Sequence, residues 1–181
     1  YGSRNWGSAV MYEAGKVLIV GGITGDFYSS GSAVSPTATA EAIDLNAPSP
    51  SWQYVASMAF PRKHHNLTLL PDGKVLVTGG SSGSEDTNSN SANPVYAAEV
   101  WNPVTNTWTT LASNTIYRGY HATALLLPDG RVVSAGGDNG GASAEVYSPP
   151  YLFQGARPTI TAAPVASITA SRMRRAVAAW T

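Results

Sequence analysis

One plan is written three times along this chain, and that repetition limits the fold more than any other feature. Each copy has a β-rich run, a Gly-Gly pair, a variable polar loop, then a glutamate followed by apolar or aromatic residues. In the first copy Ala9-Val10-Met11-Tyr12 and Lys16-Val17-Leu18-Ile19-Val20 lead to Gly21-Gly22, then Glu41-Ala42-Ile43-Asp44 and Trp52. In the second, Leu67 to Leu70, Pro71-Asp72-Gly73 and Lys74 to Val77 lead to Gly79-Gly80, then Glu99-Val100-Trp101-Asn102-Pro103 and Trp108. The third runs from Ala124 through Pro128-Asp129-Gly130 and Arg131-Val132-Val133 to Gly136-Gly137, then Glu145-Val146-Tyr147-Ser148-Pro149. The Gly-Gly pairs start at 21, 79 and 136, which are 58 and 57 residues apart. Repeats of this length mark an array of supersecondary units, none of which buries its apolar face alone.

Each unit reads as a small antiparallel sheet. Pro-Asp-Gly between apolar runs is a tight hairpin turn, with proline presetting φ and glycine accepting a positive one. The strands before each Gly-Gly are nearly continuous apolar runs, as in sheets covered on both faces by neighbours. A glycine pair at the strand end suits a crowded centre where a Cβ would clash. Tryptophans and tyrosines after each glutamate are expected to pack between units. Asp72 and Asp129 are turn formers, and Glu41, Glu99 and Glu145 are expected to bond backbone groups near a Gly-Gly pair. A generic β-sandwich does not account for three in-phase copies. The expected fold is therefore all-β: a partial kelch-type β-propeller of about three antiparallel blades over residues 1–155. Its period is slightly longer than the roughly 50 residues usual for kelch repeats. Three blades fall short of the about four to eight of a complete propeller, so the chain is expected to be a fragment; the expected parent is a seven-bladed propeller.

Composition narrows the partners. Eleven basic and eleven acidic residues give no net charge, and charged residues make up 12% of the chain. No basic block appears, which argues against nucleic acid or an anionic membrane as partner. No apolar run approaches the ~18 residues of a membrane-spanning helix. Tyr1 opens directly into structured-looking sequence, so any targeting segment is expected to be missing or removed. The chain contains no cysteine, which excludes disulfides and thiolate chemistry within it. Low charge and Ser/Thr/Asn/Gly-rich loops suit an extracellular, secreted protein. The triplet Asn66-Leu67-Thr68 lies inside an expected strand and is read as chance, not as a glycan site.

Arg118-Gly119-Tyr120-His121, then Leu125-Leu126-Leu127-Pro128-Asp129-Gly130-Arg131-Val132 and Gly136-Gly137, resembles the last propeller blade of the galactose oxidase and glyoxal oxidase family. Glu145 to Phe153 resembles the segment leaving that propeller, and Arg157-Pro158-Thr159-Ile160 the entry to the family's C-terminal immunoglobulin-like domain. Ala9 to Tyr12 and Pro61-Arg62-Lys63-His64-His65 through Gly80 resemble the two preceding blades. The resemblance covers about residues 5–160. Residues 156–181 are expected to be a truncated start of that domain or a disordered tail. The resemblance implies a copper-radical oxidase that oxidises primary alcohols, including carbohydrate, or aldehydes with O2 to give H2O2. In this family copper is held by two tyrosines and two histidines, and one tyrosine is cross-linked to a cysteine as the radical cofactor. By position, Tyr120 matches the axial tyrosine, the proton acceptor for the substrate hydroxyl, and His121 the adjacent histidine ligand. Adjacent strand residues point to opposite faces, so both reach one metal only from an irregular loop. The Cys-Tyr radical pair is not encoded in this segment, and no histidine follows His121. On this reading the segment supplies two of four ligands and is inactive alone.

Counting three residues from Arg62 to His65, as from Arg118 to His121, places His64 and His65 at the positions of Tyr120 and His121. His64 and His65 are accordingly expected on the substrate approach. Asp26, Phe27 and Tyr28 follow the first Gly-Gly, where the family has substrate-facing side chains, and Phe27 and Tyr28 are the further substrate-side candidates. Two other readings stand beside the oxidase: a non-catalytic kelch propeller module binding glycan or protein, and a truncated gene product without function. A cysteine and tyrosine on upstream blades and a histidine downstream separate the first from the others.

Overall fold

The computed structural model describes residues 2–23, 35–83 and 93–155. Phe27, Tyr28 and the segment from 156 onward, including the expected entry to an immunoglobulin-like domain, lie outside the described residues. Within them the chain forms three antiparallel sheets. The first contains β1 (Ser8–Glu13), β2 (Lys16–Val20), β3 (Ala40–Asp44) and β4 (Gln53–Val55), paired in that order. The second contains β5 (Lys63–Leu69), β6 (Val75–Ser81), β7 (Ala97–Asn102) and β8 (Thr107–Ser113), again in order. The third contains β9 (Ala122–Leu126), β10 (Val132–Gly136) and β11 (Ala144–Tyr147), followed by a 3-10 turn at Pro150–Phe153. β5 packs beside β1 on one side and β9 on the other, so the leading strands of the three sheets lie side by side. This is the blade arrangement of a partial β-propeller.

The hairpins form where the turn chemistry requires them. Gly73 and Gly130 both take a positive φ, and the amides of Leu70 and Leu127 bond the carbonyls of Lys74 and Arg131. Asp72 and Asp129 accept from the amides of Lys74 and Arg131, the turn-forming role expected of them. Successive side chains of a strand point to opposite faces, and β6 shows the consequence. Val75 and Val77 join Leu18, Val20, Ala40, Met58 and Trp101 in a core between blades one and two. Leu76, between them in sequence, joins Leu70, Ala98 and Val132 in the core between blades two and three. Each such fully buried aliphatic side chain contributes about 1.5–3 kcal/mol. Trp101 sits in the first core with Trp108 packed against it, and Trp108 Nε1 donates to the Ala56 carbonyl across the blade boundary. The outward faces of the terminal blades show the opposite pattern: Met11, Tyr54, Leu125 and Val146 are exposed.

The Gly-Gly pairs make the joints between blades. The amide of Gly22 donates to the Arg62 carbonyl at 2.9 Å, and that of Gly80 to the Arg118 carbonyl at 2.7 Å. A Cβ on Gly79 would lie 2.0 Å from the Arg118 carbonyl oxygen, so the two backbones meet only because glycine has none. The glutamates reach the Gly-Gly pairs through an arginine, while Glu99 and Glu145 also bond backbone amides as the sequence leads one to expect. Arg4, Arg62 and Arg118 donate to the carbonyls of Gly21, Gly79 and Gly136 at 3.0, 2.9 and 2.9 Å. The same arginines pair with Glu41, Glu99 and Glu145. Glu99 also accepts from the Ala59 amide, and Glu145 from the Thr115 amide. Each clamp thus ties a blade's incoming segment to its second and third strands. Burial pushes the Arg62 guanidinium below its ordinary pKa, while the Glu99 carboxylate opposes that shift.

Candidate active site

The incoming segments of the three blades end side by side, and each enters its first strand through a non-glycine residue of positive φ. These are Trp6 (φ 58°), His64 (φ 56°) and His121 (φ 61°). Such conformations cost of order 1–3 kcal/mol each, and they cluster at functional sites. The pairing shows that the three are equivalent. Asn5 pairs with Ile23, Lys63 with Ser81, and the Asp138 amide donates to the Tyr120 carbonyl at 3.1 Å. In each blade, then, the residue after Gly-Gly meets the residue before the positive-φ position. His64 therefore corresponds to His121 and Lys63 to Tyr120, one residue away from the match obtained by counting from the arginines. The third blade has one extra residue between its arginine and the strand. That extra residue is at Gly119, where a Cβ would meet the hydroxyl end of the Tyr117 side chain, so a larger residue there would require Tyr117 to move.

This geometry brings Tyr120 and His121 to one side. Their ring centroids are 3.8 Å apart, although neighbours in a regular strand would diverge. His64 meets Tyr120 edge-on at 5.0 Å and stacks on Trp6 at 5.0 Å, so Trp6, His64, Tyr120 and His121 form a continuous row. The Lys63 ammonium lies 4.9 Å over the Trp6 ring. His121 is exposed, and its Nδ1 lies 2.8 Å from Asp138 Oδ1. A carboxylate only accepts, so this bond requires the proton on Nδ1 and turns the Nε2 lone pair outward. Asp138 carries no signal as a lone acidic residue in the sequence. Aligning the repeats on Gly-Gly reveals it, because Ile23 and Ser81 occupy the same place in the other blades.

His65 belongs elsewhere. It is 4% exposed and packs against Gly21 in the joint between blades one and two, not on a substrate approach. Burial first, and the Arg62 charge second, lower its pKa to about 3. The Val20 and Arg62 carbonyls face the ring and oppose that shift, without forming well-aligned hydrogen bonds to either nitrogen. As an inner-strand residue His65 faces into the blade contact, whereas positive φ turns His64 out toward the row. Of the candidates among the described residues, the structure brings together Tyr120, His121 and His64, and separates His65 from them.

The donor set fits half of a copper site. Imidazole suits Cu(II), and a histidine whose second nitrogen is held by a carboxylate has the form common in metal ligands. No group of three or more His, Cys, Asp or Glu is placed to hold a metal among the described residues. Tyr120 and His121 offer one phenol and one imidazole, so a copper ion held here would need its further ligands from outside the described residues.

Fold and site together define a three-blade stretch of β-propeller with a Tyr-His pair at its blade entrances, the second residue backed by a carboxylate. Residues 7–150 match the family model described as glyoxal oxidase N-terminus, and the chain belongs to that family. It is 35% identical to galactose oxidase of Gibberella zeae over 86% of its own length and 24% of that protein. It is 28% identical to the aldehyde oxidase GLOX of Vitis pseudoreticulata, over 84% of this chain and 34% of the relative. Among solved structures it resembles a fungal alcohol oxidase of the AA5 family in complex with copper. That likeness has a TM-score of 0.69 and 30% identity, and covers 82% of this chain and 32% of the other. The chain thus spans about a quarter to a third of the relatives it matches.

Proposed function

We propose that these blades are part of a secreted copper-radical oxidase that converts primary alcohols, carbohydrate among them, or aldehydes with O2, releasing H2O2. The observation that carries the reading is the Tyr120–His121 pair: adjacent in sequence, turned to one side by the positive φ of His121, with Nε2 directed outward. The relatives are galactose, aldehyde and alcohol oxidases, which supports the substrate class. Their greater length supports a parent protein that supplies the remaining ligands and the radical pair, since this chain has no cysteine. Its low charged fraction supports secretion.

In this reading His121 Nε2 and Tyr120 Oη hold the metal, which when bound supplies the one-electron redox capacity for passing electrons from substrate to O2. Tyr120 Oη receives the hydroxyl proton of the alcohol, a general-base role that contributes about 10²–10⁴-fold to rate. His64, edge-on to the Tyr120 ring and stacked on Trp6, continues an aromatic wall from that tyrosine, against which a substrate's apolar face packs. In the full-length protein, Tyr120→Phe retains copper and loses about 10²–10⁴-fold in kcat, while His121→Ala loses the metal. Tyr120→Phe with undiminished turnover overturns the proton-acceptor assignment.

A further inference from the structure

Asp138 stands at a position where the repeat requires no carboxylate. Its equivalents are Ile23 and Ser81, both joined through the backbone to the incoming segment in the same way. Only in the third blade is the equivalent side chain acidic, and there it is bonded to the neighbouring positive-φ histidine. The Asp138 amide donates to the Tyr120 carbonyl while its carboxylate accepts from His121 Nδ1, so one residue holds the pair at two points. Gly136 and Gly137, with φ of 68° and 89°, turn the chain so that Asp138 returns beside them.

From this we infer that Asp138 is a positioning residue: it fixes the His121 ring as the Nδ1–H tautomer and so makes Nε2 the donor presented to the metal. An exposed imidazole without such a partner is free to rotate and to carry its proton on either nitrogen. The carboxylate removes both freedoms and raises the basicity of the donor nitrogen. The orientation stands on geometry alone, and its use toward copper rests on the proposed function.

The test begins with the metal-free 181-residue chain at pH 8, using imidazole 15N shifts to read the His121 tautomer. Wild type is expected in the Nδ1–H form, Asp138→Ala in a mixture or the Nε2–H form, and Asp138→Asn, whose carbonyl still accepts, close to wild type. Near-UV circular dichroism checks that each variant keeps its packing. A wild-type His121 in the Nε2–H form, or a tautomer unchanged by Asp138→Ala, overturns the inference. In the full-length protein, Cu(II) titration is expected to show about 10–100-fold weaker binding for Asp138→Ala. Affinity unchanged by Asp138→Ala, in a protein that does need His121 for copper, overturns the positioning role toward the metal. Failure of the copper reading itself looks different: affinity then ignores His121→Ala, while the tautomer remains readable without metal.

Discussion

Acid should loosen the joint between blades one and two through a single imidazole. His65 is buried against Gly21, and its folded pKa is lowered to about 3 by burial and by the Arg62 charge. In the unfolded chain the same ring titrates near its ordinary value of about 6.5. The folded state thus refuses a proton that the unfolded state accepts. The resulting stability is complete above pH ~6.5, falls as pH drops toward 3, and changes little below that. pH 5 lies about 1.5 units below the unfolded pKa, which corresponds to a loss of about 2 kcal/mol; at pH 4 the loss is about 3 kcal/mol. His65→Phe keeps a ring in the joint and removes the titration, while every other titrating group is common to both proteins. Urea unfolding followed by tryptophan fluorescence reads the boundary, because Trp101 and Trp108 pack in that core. The stability of wild type relative to His65→Phe is predicted to fall by about 2 kcal/mol between pH 7.5 and pH 5. A difference that does not change with pH would refute the burial argument for His65.

Gly79→Ala places a Cβ 2.0 Å from the Arg118 carbonyl at a φ of 70°, and thermal unfolding should show a loss of more than about 3 kcal/mol. Gly136→Ala, whose Cβ meets nothing closer than 3.6 Å, should cost only the conformational strain of about 1–2 kcal/mol. Equal losses would show that φ, not the contact between blades, makes the pair glycine. Glu99→Ala leaves Arg62 fully buried without its carboxylate, and denaturant titration should show a loss of about 3–5 kcal/mol. The more exposed pair Lys74–Asp72 gives the contrast, with Asp72→Ala limited to about 1 kcal/mol beyond its turn role.

The blades were legible because their signals are local. Pro-Asp-Gly turns, apolar runs and Gly-Gly pairs recur in phase, and each constrains a few neighbouring residues whatever lies elsewhere. Tyr120 and His121 were legible too, since they sit in one short string. What escaped the sequence depends on backbone turns and on partners distant in the chain. Counting from Arg62 and Arg118 set His65 against His121, because nothing in the letters marks the extra residue at Gly119-Tyr120. A positive φ at a histidine has no compositional mark, so the separation of His64 into the row from His65 in the core was invisible. Arg62 and Glu99 are 37 residues apart, and the arginine's part in each clamp emerges only when the sheet brings its guanidinium to both the Gly79 carbonyl and the Glu99 carboxylate. Asp138 and His121 are 17 residues apart and meet through the same folding of strand onto strand.

The most direct measurement on the Tyr120–His121 site is the electron paramagnetic resonance spectrum of Cu(II) in the full-length protein, with and without His121→Ala. Nitrogen coupling from the His121 imidazole is predicted in the parent, with loss of that coupling and of most bound copper in the variant. A spectrum and copper content unchanged by His121→Ala would contradict the assignment, and would leave the Trp6–His64–Tyr120 row as an aromatic surface without a metal beside it.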